Sequence, residues 1–199
     1  MYIPDYFNEA DNNKAISFIR TNSFGQLTSQ VGGKLIASHL PFMIDKEGSK
    51  LLCHVARENP QWQNIEEQDV LVTFQGAHDY ISPSWYTSPG VPTWNYQAVH
   101  VYGICKAINS PDKLKEIVEE LTLSYEANYE KPWSPKYSET MLKYIVGIEL
   151  TIREIQCKFK LNQNRSETDR AGVISALEDQ GSETLANVMR ENERSKYSK

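Results

Sequence analysis

The residues best placed to do chemistry lie in Cys53-His54-Val55-Ala56-Arg57-Glu58-Asn59-Pro60-Gln61-Trp62. An alternating apolar run ends there, an arginine follows, and Asn59-Pro60 has the form of a helix start. Free backbone N–H groups at such a start, the positive end of the helix dipole and a nearby guanidinium together suit a phosphate. The alternative is structural: Arg57 pairs with Glu58 or another surface carboxylate, and Asn59 only caps. A second candidate is Ser38-His39-Leu40-Pro41-Phe42. Alternation puts Ser38, Leu40 and Phe42 on one face and His39 and Pro41 on the other, with Pro41 marking an edge or a ligand-facing backbone. His39 serves equally as a binding residue or as a polar residue at a rim.

Other chemistries find less support. The four histidines, His39, His54, His78 and His100, show no HxH or HxxxH spacing, so no metal site is expected. Cys53, Cys105 and Cys157 are odd in number and contain no CxxC pair, which argues against a disulfide scaffold or zinc ribbon and for a reducing compartment. There is no G-x-S-x-G elbow, GxGxxG or GxxxxGK[ST] loop, and no catalytic residue can be named. Trp85, Tyr86, Trp94 and Tyr96 lie in a stretch rich in proline. They could stack a planar ring, or form a barrel-mouth cluster or a dimer face.

These residues need elements to hold them. A helix is expected from Asp11 to Thr21, with Ala15, Ile16, Phe18 and Ile19 on one face. Extended runs follow at Phe24–Gln30, Lys34–Ile44 and Lys50–Val55, separated by turns at Gly32-Gly33 and at 45–49. After a short helix capped by Asn59 come strands at Val70–Phe74 and Gln97–Ile108. A helix opening at Ser110-Pro111 carries Leu114, Ile117, Val118, Leu121 and Tyr125 on one stripe. The strand Gly147–Phe159 slips phase between Ile152 and Ile155. Two amphipathic helices parted by Gly181 close the chain. This pattern is α+β, centred on a β-barrel with flanking helices. It divides into a barrel domain over 1–165 and a helical extension over 166–199 packed on it.

Composition sets the outer bounds. The chain has 199 residues, 40% hydrophobic and 24% charged, with 21 Lys+Arg against 26 Asp+Glu and a net charge of -5. That balance opposes a dedicated DNA binder, which needs a basic face. The helix pair has the outline of a helix-turn-helix, but from Arg165 onward six Lys/Arg meet seven Asp/Glu; a packing or dimerisation pair fits better. No apolar window is long enough for a membrane helix. The N-terminal residues resemble no secretory signal, so a cytoplasmic location without membrane attachment is expected.

Four blocks carry a family resemblance: Leu51–Trp62 (HxARxNPQW), Tyr80–Tyr86 (YISPSWY), Val91–Tyr96 (VPTWNY) and Phe159–Arg165 (FKLSQNR-like). Taken in order, they resemble the PaiB-like negative transcriptional regulators, grouped with FMN-binding split-barrel proteins. Asn162 departs from the pattern, which has serine there. The resemblance implies that the barrel is an FMN-binding split β-barrel; it also implies a homodimer with flavin at its interface, and repression of degradative-enzyme synthesis and sporulation. The C-terminal helical extension comes from the residue pattern. Combined with the residue reading, it nominates a flavin pocket of Ser38, His39, His54, Arg57, Asn59, Trp94 and Tyr96, completed by Lys160 and Gln163. In that pocket Arg57 would hold phosphate, and Trp94 and Tyr96 would wall the ring. A non-enzymatic regulator is the leading expectation, with DNA contact unsupported by charge. The alternatives are a flavin-dependent oxidoreductase of unnamed substrate and, more weakly, a haem-binding relative.

Overall fold

A computed structural model describes residues 1–196. Contacts within it form two compact units: residues 1–14, 75–99 and 156 onward make the first, and residues 15–74 and 100–155 the second.

The second unit is built on an antiparallel sheet. Strands β1 (Phe24–Val31) and β2 (Lys34–Pro41) form a hairpin whose register closes at Val31↔Lys34. Its two-residue turn is Gly32-Gly33, at φ 56° and 79°, the left-handed conformation that a tight hairpin requires. The run expected to continue to Ile44 breaks at Phe42. Pro41 has no N–H for a ladder, and the amide of Phe42 donates instead to Ser23 O at 2.8 Å. The strand resumes as β3 (Met43–Ile44), paired with β4 (Lys50–Ala56).

Three long strands follow: β5 (Asp69–Ile81), β6 (Thr93–Ile108) and β7 (Ile145–Lys160). Each contributes residues to both units. All three exceed their expected lengths. Most notably, Thr93–Tyr96 of the aromatic segment belongs to β6, because its prolines, Pro83, Pro89 and Pro92, all fall before the strand begins. The order is β2-β1-β5-β6-β7-β4-β3. Residues of β2 and β4 also approach each other although they stand far apart in that order, so the sheet curls as a barrel does. Val99, Val101, Gly103 and Cys105 all face inward, as alternation predicts. On β7 the inward phase of Val146, Ile148 and Leu150 gives way to two exposed neighbours, Arg153 and Glu154, at the expected slip.

The helices are α1 (Asn12–Thr21), α2 (Pro111–Glu126), the single turn α3 (Glu139–Leu142), α4 (Glu167–Asp179) and α5 (Glu183–Lys196). The expected stripe of α2 buries Leu114, Ile117, Val118 and Leu121, whereas Tyr125 is exposed. In the first unit, α4 and α5 form a core with Ile81 and Leu161 through Val173, Leu177, Leu185, Ala186 and Met189. Gly181 parts the pair at φ 79°. Their apolar faces are thus spent on packing. The last three residues of the expected extension, 197–199, lie outside the described residues. Among those described, no helix is long and apolar enough to cross a membrane.

Candidate functional site

In the second unit the segment after β4 does become a capped helix start, of 3-10 rather than α type. Pro60–Glu67 is helical with a break at Asn64, and Asn59 Oδ1 accepts from Gln61 N at 2.9 Å. Arg57 pairs with no carboxylate among the described residues. Its Nε donates to Lys143 O at 2.7 Å, one terminal nitrogen to Ile145 O at 2.8 Å, and the other to Asn109 Oδ1 at 3.1 Å. The guanidinium also lies 5.8 Å from the Trp62 ring centroid, and Trp62 Nε1 donates to Arg57 O at 2.8 Å. Its bonds to Lys143 and Ile145 fasten the end of β4 to the start of β7, and the third holds Asn109, the residue after β6.

Ser38 and Asn59 converge on a residue absent from the expected set. Gln61 is fully buried. Its Oε1 accepts from Ser38 Oγ and, at 3.4 Å, from Asn59 Nδ2; its Nε2 donates to Ser29 Oγ at 2.9 Å and Ile36 O at 3.1 Å. One amide thus ties the helix start to both strands of the first hairpin. A polar residue just after a cap looks like a surface residue in sequence, which is why it escaped notice. His39 is exposed on β2, accepts from Gln26 Nε2 at 3.2 Å and stacks on Phe24 at 6.2 Å. His54 is half-buried on β4. Burial lowers its pKa, and its Nδ1 has no hydrogen-bond partner among the described residues. Cys53 and Cys105 are buried thiols whose pKa burial pushes up, that of Cys105 to about 12, so neither is poised as a nucleophile.

The first unit holds Trp94, Tyr96, Lys160 and Gln163. Lys160, at the end of β7, donates to Thr93 Oγ1 and Trp94 O. Burial, and then the charge of Lys158, lower its pKa. Beside it, Arg165 stacks on the Tyr86 ring at 4.4 Å and donates to Pro89 O at 3.0 Å. Among the described residues neither cation has a carboxylate partner. Both line a cavity of about 130 Å³ with Phe7, Tyr86, Val91, Thr93, Asn162 and Asn164. Three of the four blocks noted in the sequence supply all of these residues except Phe7. Asn162, at φ 62° and buried, donates from Nδ2 to Tyr86 OH at 3.2 Å. Asparagine tolerates that left-handed conformation better than most side chains, which accounts for its presence where serine was expected.

Gln163 turns back on its own chain, accepting from Leu161 N at 2.7 Å and donating to Phe159 O. It lines a larger cavity of about 540 Å³ with Tyr6, Phe7 and Phe159, so Phe7 borders both spaces. Tyr96 faces Lys158 Nζ at 5.3 Å. Trp94 is 52% exposed and lies beside Tyr80 (6.3 Å, edge-on) and His78 (6.4 Å). Asp169, another residue sequence reading missed, accepts from Thr87 N and Oγ1, both at 2.8 Å, and from Ser88 N and Oγ. It anchors the loop that carries Tyr86. Among the described residues no cluster of three His, Cys, Asp or Glu could hold a metal.

An oxyanion fits the smaller cavity by its chemistry: two unpaired cations, a hydroxyl and an amide, with an aromatic wall. At about 130 Å³ it lies below the roughly 300–1,000 Å³ of sites for whole small molecules. The adjoining cavity lies within that range. A nucleotide with one anionic end and one planar end suits the two together.

Comparison with known proteins points the same way. Residues 1–154 match a family described as "Putative FMN-binding domain". The chain is 44% identical over 191 residues to "Protease synthase and sporulation protein PAI 2" of Bacillus subtilis (strain 168), covering 90% of each chain. It is 33% identical over 243 residues to an uncharacterized protein of Emericella nidulans, covering 96% of this chain and 97% of that one. Among solved structures it resembles the flavocytochrome Anf3 of Azotobacter vinelandii, with a TM-score of 0.67 and 16% identity over 85% of this chain and 78% of that one. It also resembles an FAD and heme binding protein of Mycobacterium smegmatis, with a TM-score of 0.65 and 14% identity over 82% and 78%. At such low identity these two show the fold alone, and they agree with the α+β split barrel expected from sequence.

Proposed function

The chain belongs to the FMN-binding-domain family, and from that premise we propose that it is an FMN-holding, homodimeric regulator. The observation that carries the flavin reading is the pair of cations, Lys160 and Arg165, left without carboxylates among the described residues in a cavity that Phe7 and three separated sequence blocks line. In this reading Lys160, Arg165 and the Thr93 hydroxyl hold the phosphate. Tyr86 supports Arg165 from below. The remainder of the flavin passes Phe7 into the space bordered by Tyr6, Phe159 and Gln163. Bound flavin would supply one- and two-electron redox chemistry; the chain binds, orients and shields it. Trp94, half-exposed beside Tyr80, is assigned to the dimer face, where such aromatics are enriched. Ser38 and Asn59 are assigned to holding Gln61, and Arg57 to holding β4 against β7.

The regulatory part rests on the sequence relation to the Bacillus subtilis protein, whose name refers to protease synthesis and sporulation. We read this chain as a cytoplasmic negative regulator. Its net charge of -5 favours a route through a partner or metabolite over direct contact with DNA.

The test begins with the purified protein. It should be yellow, release one FMN per chain on denaturation, and sediment as a dimer. A colourless protein that ignores added FMN overturns the flavin reading. Steady oxidation of a reduced nicotinamide by the loaded protein would favour a flavin-dependent oxidoreductase over a regulator.

A further inference from the structure

The second unit contains a cavity of about 510 Å³ that plays no part in the site above. Its lining includes Phe42, Met43 and Ile44, Arg20 from the end of α1, and Glu120, Ser124 and Tyr125 from α2. Phe42 is buried, whereas Met43 and Ile44 are only half-buried and present apolar surface to the cavity. Ser23 Oγ and Tyr125 OH, both in the lining and 2.7 Å apart, tie the segment after α1 to the end of α2. Arg20 is anchored by one terminal nitrogen, which donates to Asp45 O at 3.0 Å and Lys46 O at 3.3 Å. Among the described residues its Nε and other terminal nitrogen have no hydrogen-bond partner. Neither Arg20 nor Glu120 has an ion-pair partner among the described residues.

A cation, an anion and apolar surface in one cavity define a particular ligand chemistry. An arginine anchored on one side presents its remaining N–H groups to a carboxylate. A glutamate accepts from an ammonium. Apolar surface in the same cavity rewards burial of a side chain. The volume falls in the range that takes a small molecule. We propose that this cavity is an effector site for a free α-amino acid with a large apolar side chain. Arg20 takes the carboxylate, Glu120 the ammonium, and Phe42, Met43 and Ile44 the side chain. The proposal does not depend on the flavin reading, since the two use different residues in different units.

Calorimetric titration of the full chain with L-phenylalanine and L-leucine tests it, with phenethylamine and N-acetyl-L-phenylalanine as controls that lack one charge each. The zwitterions should bind saturably, and each control should bind at least tenfold more weakly. Glu120→Gln, a substitution at an exposed position, should weaken L-phenylalanine at least tenfold without moving the unfolding midpoint. Arg20→Lys should weaken it while keeping a positive charge. Absence of saturable heat with both amino acids at millimolar concentration overturns the proposal. So does equal binding of phenethylamine, or an E120Q protein that binds as the wild type does. Because FMN content is read separately by absorbance, failure here and failure of the flavin reading are told apart.

Discussion

Gln61 shows how much one side chain can decide. Its amide satisfies Ser38, Asn59 and Ser29 in a fully buried position. Gln61→Leu would match its bulk yet take a partner from the Ser38 hydroxyl, Ser29 Oγ and Ile36 O, at about 1–3 kcal/mol for each one that water cannot reach, while Asn59 Nδ2 keeps its bond to Ser38 Oγ. Urea unfolding should show a loss of about 3 kcal/mol, with FMN content per folded chain little changed. Asp169 works at the same scale through charge. The Ser88 hydroxyl, followed by Thr87 and the two loop amides, holds its carboxyl far below the ordinary 3.8. The unfolded chain then binds the proton more readily, so this stabilisation is present above about pH 4 and is lost as pH falls below it. Asp169→Asn should be less stable than wild type at pH 7, and the gap between them should narrow by pH 3. Neither residue could be read from sequence, because long-range partners, not neighbours, give them meaning. Arg57 was legible as a special arginine, but its partners Lys143 and Ile145 lie nearly ninety positions away.

At the scale of elements, the signals that were local came through. Gly32-Gly33 marked the hairpin, Asn59-Pro60 the helix start, and the alternation of Val99 to Cys105 the inward face of β6. What was missed depended on strand neighbours: β5 and β6 run further than their own patterns suggest because each is held in the middle of the sheet. Two substitutions test the elements around the site. Leu177→Ala empties the fully buried centre between α4 and α5, which should cost about 2–5 kcal/mol in denaturant unfolding. Asn162→Ala keeps a side chain in the left-handed conformation but removes the bond to Tyr86, and should cost about 1–2 kcal/mol. Asn162→Gly should recover part of that loss by relieving the backbone.

At the scale of the whole molecule, charge and assembly govern function. With a net charge of -5, the purified protein should fail to retard duplex DNA even at low salt, where phosphate contacts are strongest. Retardation that weakens steeply with added salt would instead show a local basic surface at work. The central claim is that an anion anchors the flavin at Lys160 and Arg165. Riboflavin, which is FMN without its phosphate, isolates that contribution. Fluorescence titration of the flavin-free protein and its Lys160→Gln variant with both ligands measures it directly. FMN should bind the wild type at least a hundredfold tighter than riboflavin, about 2.7 kcal/mol, and K160Q should erase at least a factor of ten of that preference while leaving riboflavin unchanged. Equal affinity of the wild type for the two flavins, or a preference untouched by K160Q, would contradict the account.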